Sequence, residues 1–295
     1  MSRPSVSIVG LPSSGKTTFL AALWHLLTEN DIDTQLRLKD IQAGNNAYLT
    51  GIANRWRQAL IQERTQQTGN QNVQINLTNR EGDQDLQVNF PDVAGETYRD
   101  MWENRTCSPD IVEMLCSESV LLFVNADTIK QPKWVVDEVA QMQQMGLPLA
   151  EGEDIDWAPH MSPTQVQVVE LLQLLTETPF DIGPRQLTIL LSAWDRVAAE
   201  GLSPSEYLEQ RLPLLHQYIL SNQQTWTFSV SGLSAQGGVY DDPERPDQAT
   251  DEAERLRESY CRVWCLRLVG HAAIWLGLVV SIPSLNVTPV MTLAR

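Results

Sequence analysis

The chain has 295 residues, of which 42% are hydrophobic, and it carries a formal net charge of −16 with a pI near 4.6. This length and composition predict a globular protein with a sizeable core. The acidic balance argues against nucleic-acid and anionic membrane partners, because there is no excess of cations to displace counterions from phosphate. The four cysteines lack the paired spacing of a metal site, which favours a reducing, cytoplasmic setting.

The first predicted strand is followed by a glycine-rich loop and a helix. The strand covers residues 6–9, too close to Met1 to leave room for a signal peptide. The loop, residues 10–17, fits the phosphate-binding pattern G-x-x-x-x-G-K-[ST], in which glycines and a helix N-terminus wrap an anion. We expect Lys16 to neutralise the β- and γ-phosphates and Thr17 to bind Mg²⁺. The predicted nucleotide-binding residues of this loop are Gly10, Ser13, Ser14, Gly15, Lys16, Thr17 and Thr18.

Between this helix and the next motif, the sequence predicts a polar turn, a helix and a β-hairpin. Residues 31–40 are polar and turn-like, and residues 47–62 carry apolar side chains at helical spacing. Residues 73–77 and 86–90 alternate apolar and polar side chains around a turn cluster, which is typical of two half-buried strands. Pro91 has no N–H to donate to a sheet, so the second strand should end before it.

The second half of the chain alternates strands with helices. Strands are predicted at 119–124, 187–191 and 225–230, and helices begin at Ser162-Pro163 and at Ser203-Pro204, the latter continuing through Leu215. This alternation predicts an α/β fold: a mostly parallel sheet with one antiparallel hairpin strand, helices on both faces and the ligand at the carboxyl ends of the strands. We expect residues 1–295 to form a single domain with its core at about 5–240.

The apolar segment 263–282 has the length of a membrane span. It contains Arg267 and His271 near its middle, however, and a central Arg costs at least about 2.5 kcal/mol on insertion. We therefore favour a buried strand and helix that close the domain, at about 255–282, over a membrane anchor.

A second motif directly follows the predicted hairpin. Residues 92–95 fit D-x-x-G, in which Asp92 would hold Mg²⁺ through a water and the Gly95 N–H would contact the γ-phosphate. Glu96 comes next, and its carboxylate could order a water while repelling the γ-phosphate, so hydrolysis should be slow. Arg105 either offsets that charge or forms a surface salt bridge.

Four motifs together resemble the translation-factor-related and Ras-like class of P-loop GTPases. Within that class, the sequence is similar to the prokaryotic double-GTPases, which carry G-K-T-T-F/Y-L-A-A-L-W, an R-T pair, D-x-x-G-E and S-A-W-D. The four segments that match the double-GTPases are Gly15–Trp24, Arg64-Thr65, Asp92–Glu96 and Ser192–Asp195. The final loop at Ser231–Gly238 belongs to the resemblance to the wider class. The resemblance covers about residues 5–240 and implies a P-loop GTPase fold.

The resemblance also implies roles for residues outside the phosphate loop. Asp195 would accept hydrogen bonds from guanine N1 and N2, although Ser192 and Ala193 replace the usual Asn and Lys, and Trp194 or another aromatic would then compensate for the missing lysine stem. The alternative role for Asp195 is an N-cap of the following helix. Backbone N–H groups at Ser234 and Ala235 would contact guanine O6, with Ser231 as an alternative register.

The switch residues form a third implied group. Thr65, with Thr68 as its alternative, would complete the Mg²⁺ shell, and Arg64 would act as an arginine finger in cis. The catalytic set is therefore Lys16, Arg64, Thr65 and Glu96, and the metal ligands are Thr17, Thr65 and Asp92. Where Ras-like proteins carry a water-orienting glutamine, this chain has Glu96.

The expected function is a magnesium-dependent molecular switch that binds GTP or GDP and hydrolyses GTP slowly. The resemblance implies a cytoplasmic regulator of a bacterial conflict, defence or signalling complex. Its expected partner is a protein effector, and whether the chain forms a homodimer stays open. Two alternatives stay open at this point. The first alternative is a P-loop ATPase or kinase, which requires the S-A-W-D match to be accidental. The second is a pseudo-GTPase adaptor that binds nucleotide without turnover, which Glu96 motivates.

Overall fold

The computed structural model describes residues 4–28, 36–42, 44–58, 60, 72–91, 95–132, 144 and 158–236. These residues form a seven-stranded sheet in the order β2-β3-β4-β1-β5-β6-β7. The strands are β1 Ser5–Gly10, β2 Leu36–Ile41, β3 Val73–Asn79, β4 Asp85–Phe90, β5 Ser119–Asn125, β6 Arg185–Ser192 and β7 Trp226–Leu233.

The sheet is parallel except for one strand. β1 pairs in parallel with β4 and β5, and β5, β6 and β7 continue in parallel. β3 is antiparallel to both of its neighbours, β2 and β4, so β3 alone runs against the other strands. The predicted mostly parallel sheet with one antiparallel hairpin strand is confirmed.

Helices cover both faces of this sheet. They are α1 Lys16–Thr28, α2 Asn45–Arg57, α3 Gly95–Glu103, α4 Pro109–Leu115, α5 Thr164–Leu174, α6 Trp194–Val197, α7 Pro204–Arg211 and α8 Pro213–Ser221, with short 3₁₀ turns at Pro159–Met161 and Ala198–Glu200. α1 and α2 share one hydrophobic cluster with the sheet, and α3, α4, α5, α7 and α8 share the other.

Successive side chains of a strand point to opposite faces, so each central strand feeds both clusters. Ile8 of β1 and Phe123 of β5 lie in the cluster with α1, whereas Val9 and Leu122 lie in the other. The ring of Phe123 packs against Phe19 of α1 with centroids 5.2 Å apart. Burial on both faces explains why β5 reads as a continuous apolar run.

Several sequence-based boundaries were wrong. Residues 31–40 were expected to be a polar turn, but residues 36–41 form β2, an edge strand with only Leu36 fully buried. The helix predicted over 47–62 begins at Asn45 and ends at Arg57. Helices α3 and α4 were not predicted at all.

Proline explains two further corrections. The helix expected from Ser203 through Leu215 is divided into α7 and α8, because Pro213 has no N–H and starts a new helix. The helix expected to begin at Pro163 begins one residue later, with Pro163 at its N-cap. β4 ends at Phe90, immediately before Pro91, as predicted.

Several sequence-based predictions lie outside the described residues. They concern Arg64, Thr65, Thr68, Asp92 and the apolar segment 263–282. Within the described part of the chain, no helix combines the length and the apolar character that crossing a membrane requires.

Candidate nucleotide-binding site

The loop between β1 and α1 requires glycine at both of its ends. Gly10 has φ +150°, and a Cβ there would lie 2.5 Å from the carbonyl oxygen of Phe123. Gly15 has φ +88°, and a Cβ there would lie 3.0 Å from the Ser192 hydroxyl. Ser13 adopts φ 61° between them, so the loop reverses sharply before α1 begins at Lys16. The spacing of the two glycines in the motif follows from this geometry.

The ammonium group of Lys16 lies in the curve of the loop. Its Nζ donates hydrogen bonds to the carbonyl oxygens of Gly10 at 2.8 Å and of Leu11 at 2.9 Å, and lies 3.4 Å from the Ser14 hydroxyl. Lys16 and Ser14 are both buried, whereas Pro12 and Ser13 are exposed at the tip of the loop. The loop therefore concentrates positive charge beside the first N–H groups of α1, an arrangement suited to phosphate.

Two polar side chains at the ends of neighbouring strands hold the loop. Asn125, the last residue of β5, donates from Nδ2 to the Ser13 carbonyl at 3.2 Å. Ser192, the last residue of β6, donates from its hydroxyl to the Ser14 carbonyl at 2.8 Å. The strand that leads into S-A-W-D is thus bonded directly to the phosphate loop through its last residue. Asn125 was missed from the sequence, because an Asn at a strand end is ordinary turn composition.

The end of β6 and the loop after β7 meet through Asp195. Asp195 lies in the first turn of α6, whose N-cap is Ala193 in a left-handed conformation, so the N-cap role weighed for Asp195 is wrong. The Ser234 hydroxyl donates a hydrogen bond to the Asp195 Oδ1. Asp195 itself is exposed, so its other oxygen remains accessible to solvent or ligand. The structure brings together these two predicted base-reading residues.

Trp194 packs on the protein. A Cβ at Gly232 would lie 2.4 Å from the Trp194 ring, so the indole rests on the β7 backbone, where only glycine leaves room. The ring also meets Tyr207 of α7 edge-on, with centroids 5.4 Å apart. The indole is therefore packed between β7 and α7. These contacts do not support the suggestion that Trp194 replaces the missing lysine stem against the base.

A tryptophan of α2 reaches the same loop. Trp56, near the end of α2, donates its indole N–H to the Ala235 carbonyl at 2.8 Å. Trp56 is 1% exposed and Ala235 is 6% exposed. The two residues are 179 positions apart, so no local sequence signal could have revealed the contact.

Helix α3 begins with Gly95 and Glu96 and packs against α5. The Tyr98 hydroxyl donates to the Gln167 carbonyl of α5. Burial, and secondarily the nearby Glu170 carboxylate, raise the pKa of the Tyr98 phenol well above its usual value. Arg105 lies 2.9 Å from Glu170 and has a side chain 53% exposed, so of its two predicted roles the structure shows the surface salt bridge.

A small cavity separates α3 from the phosphate loop. It has a volume of about 20 Å³, and its lining includes Gly10, Lys16, Tyr98 and Met101. That space accommodates roughly one water molecule. Tyr98 and Met101, from the middle of α3, thus line this small space together with the lysine expected to contact phosphate.

The fold and this loop define a P-loop nucleotide-binding α/β protein, with phosphate loop and base-reading candidates at the carboxyl ends of parallel strands. The family model for Double-GTPase 1 matches residues 7–265. The chain therefore belongs to the double-GTPase family, and its fold is that of a P-loop GTPase.

Comparison with solved structures returned GTPases of low identity. A bacterial selenocysteine-specific elongation factor EF-Sec is 11% identical with a TM-score of 0.38, over 88% of this chain and 29% of that one. The GTP-bound GTPase-like domain of Ski7 from S. cerevisiae is 14% identical with a TM-score of 0.38, over 80% and 43%. The chain thus spans less than half the length of either.

A third structure has a more similar length. The SRb-GTP/SRX complex of the signal recognition particle receptor from Chaetomium thermophilum is 14% identical with a TM-score of 0.38, over 86% of this chain and 99% of that one. No relative was found among curated protein sequences.

Proposed function

We propose that this protein is a magnesium-dependent switch that binds GTP and hydrolyses it slowly. The observation that carries the proposal is the bond between the two ends of the site. Ser192 of β6 holds the Ser14 carbonyl of the phosphate loop, and Asp195 follows three residues later, joined to Ser234. One rigid sheet edge therefore supports both a triphosphate grip and a carboxylate suited to guanine.

The phosphate end supplies positive charge and N–H donors. Lys16 would exchange its carbonyl partners for β- and γ-phosphate oxygens, while Gly15, Thr17 and Thr18 offer backbone N–H groups at the helix start. The Thr17 hydroxyl and the Asp92 carboxylate are hard oxygen donors, a set that fits Mg²⁺. When bound, Mg²⁺ would neutralise charge on the β- and γ-phosphates.

The base end supplies selectivity. Guanine presents N1–H and N2–H₂ donors side by side, and an exposed carboxylate such as Asp195 accepts both, whereas adenine has no matching pair. Ser234 donates to one Asp195 oxygen, which orients the carboxylate. GTP is thus the favoured nucleotide.

The switch role is proposed for segments next to the γ-phosphate. Gly95 begins α3, and Tyr98 ties this helix to α5 on the same face of the sheet, so a change in the Gly95 N–H contact would be passed to α5. Arg64, Thr65 and Glu96 would act at the γ-phosphate, with Glu96 limiting the rate. A protein effector would then read α3 and its surroundings.

A nucleotide competition experiment tests the base assignment. The purified protein should prefer GTP to ATP, and Asp195→Asn should weaken GTP and admit xanthosine triphosphate, because the amide donates where the carboxylate accepted. Asp181→Asn is the matched control, since Asp181 accepts from the Gly183 N–H in a turn just before β6 begins. An unchanged nucleotide preference in Asp195→Asn would remove Asp195 as the guanine reader.

Single-turnover hydrolysis tests the enzymatic part. Slow phosphate release from GTP, abolished by Lys16→Ala and unaffected by Lys39→Ala on the edge strand β2, is the expected result. GTP binding without phosphate release, with or without partner extract, would instead identify a nucleotide-binding adaptor.

A further inference from the structure

The loop after β7 is held from beneath by a residue of a different element. The Trp56 indole N–H donates to the Ala235 carbonyl at 2.8 Å inside the cluster shared by α1, α2 and the sheet. Its ring lies 5.3 Å from that of His25 on α1, which is also buried. A large buried side chain of this kind has few alternative rotamers, so its donor is fixed in direction.

A peptide unit is planar and trans, so its C=O and N–H point in opposite directions. The Ala235 carbonyl belongs to the same peptide as the Gln236 N–H. Because Trp56 draws that carbonyl into the core, the Gln236 N–H is directed away from the core. On the preceding residue, the Ser234 side chain bonds Asp195. Two hydrogen bonds thus hold the loop, one from Trp56 in the hydrophobic core and one to Asp195 in the candidate site.

We propose that Trp56 is a positioning residue for guanine recognition, which fixes the Ser234–Gln236 loop so that its backbone N–H groups face guanine O6. This inference rests on the proposed function, since it names what holds the loop that would read the base. Trp56 itself does not touch the nucleotide in this account. Asp195, which acts on N1 and N2, lies on α6 and not on this loop, so loss of the Trp56 bond should act chiefly at O6.

Two nucleotides separate these effects. GTP and 6-thioguanosine triphosphate share the N1–H and N2–H₂ donors, but sulfur replaces O6 and accepts hydrogen bonds more weakly. The wild-type protein should therefore prefer GTP. Trp56→Phe keeps an aromatic ring and removes the N–H, so it should lower GTP affinity by about 3- to 10-fold and reduce the preference for GTP over the thio analogue.

Trp24→Phe is the matched control, because Trp24 is 5% exposed and lies in the same hydrophobic cluster. It should leave the preference for GTP over the thio analogue unchanged. Replacement of Trp56 by 3-benzothienylalanine keeps the bicyclic shape without the N–H. It should show the same reduced preference for GTP, and it provides the test if Trp56→Phe folds poorly.

The outcomes distinguish this inference from the proposed function. One outcome is that a folded Trp56 variant lowers the affinities for GTP and the thio analogue by the same factor, or leaves both affinities unchanged. If Asp195→Asn still admits xanthosine triphosphate in that case, Trp56 is only a core residue and the inference is overturned. If the wild-type protein does not bind GTP, or Asp195→Asn leaves nucleotide preference unchanged, the proposed function fails and the inference fails with it. A selective loss of the preference in both Trp56 variants, but not in Trp24→Phe, supports it.

Discussion

The two ends of the candidate site are built by different means. The phosphate loop takes its shape from backbone conformation, with positive φ at Gly10, Ser13 and Gly15 and carbonyl groups turned onto Lys16. The base end takes its shape from side chains that fasten one another, through the Asp195–Ser234 and Trp56–Ala235 bonds. A backbone-built site tolerates few changes in sequence, whereas a side-chain-built site permits substitution among its parts.

This difference explains which motif departs from the pattern of its class. The phosphate loop matches its pattern at every specified position. The base end keeps Asp195 but has Ser192 and Ala193 where Asn and Lys are usual, and Ser192 still bonds the phosphate loop. The base end thus differs from that pattern at two residues, and the first of them bonds the phosphate loop.

Gly10→Ala should have the largest effect. A Cβ would lie 2.5 Å from the Phe123 carbonyl, and the positive φ adds strain, so the unfolding free energy should fall by about 3 kcal/mol and nucleotide binding should be lost. Gly44→Ala is the control, because Gly44 has φ +93° but nothing within 4 Å of its Cβ position. Chemical denaturation of both variants separates the clash from the strain, and equal losses would contradict the clash.

Ser192→Ala should weaken the link between the two ends. Loss of the 2.8 Å bond to the Ser14 carbonyl should lower GTP and ATP affinity by the same factor, about 3- to 10-fold, because the bond supports the phosphate loop and not the base. Ser229→Ala, which removes a 3.3 Å bond to Thr188 between neighbouring strands, should change neither. A changed ratio of GTP to ATP affinity would show that the ends are not separable.

Tyr98→Phe tests a side-chain anchor at the phosphate end. The folded state resists ionisation of the Tyr98 phenol because burial and Glu170 raise its pKa, whereas the unfolded phenol ionises near pH 10. The stabilisation is therefore complete below pH 10 and is lost as pH rises. Between pH 10 and 11, wild-type unfolding free energy should fall by about 1 kcal/mol more than that of the variant.

Denaturant unfolding curves measured from pH 8 to 11 provide the comparison for Tyr98→Phe. The ring contact with Trp102 is kept in the variant, so packing is matched. Parallel stability curves for the two proteins over the alkaline range would contradict the assignment of a raised pKa to Tyr98.

Ser203→Ala should have the smallest effect. The Ser203 hydroxyl accepts from the Glu206 N–H at 3.3 Å, and the Glu206 carboxylate accepts from the Ser203 N–H at 2.8 Å. These two hydrogen bonds form a capping box at the N-terminus of α7. Loss of the cap should cost about 1 kcal/mol of unfolding free energy. GTP affinity, measured by titration, should stay within about twofold, and a larger change would mean that α7 influences the base end through Tyr207 and Trp194.

The sequence predicted those parts of the fold whose pattern is local. The phosphate loop, the hairpin and the strands β5, β6 and β7 follow from glycine spacing and from runs or alternations of apolar residues. β2 was missed because it is an edge strand with a register shift between Leu38 and Asp40, which breaks its alternation. α3 has nine residues and α4 has seven, so neither repeats the helical spacing of apolar residues often enough to be recognised from the sequence.

The candidate site divides along the same line. The phosphate loop and Asp195 were predicted from motifs, and the structure brings Ser192, at the start of the S-A-W-D segment, to the loop. Asn125 and Trp56 were not identified, because their partners, Ser13 and Ala235, lie 112 and 179 residues away. Only the topology of the sheet brings such residues together.

The distance along the chain between Trp56 and Ala235 also bears on synthesis. Proteins emerge from the ribosome N-terminus first, and contacts between distant residues form late. Asn125 and Ser192, which brace the phosphate loop, are both made before β7. The ribosome therefore completes the residues that brace the phosphate loop before it reaches Ser234 and Ala235, the residues proposed to read the base.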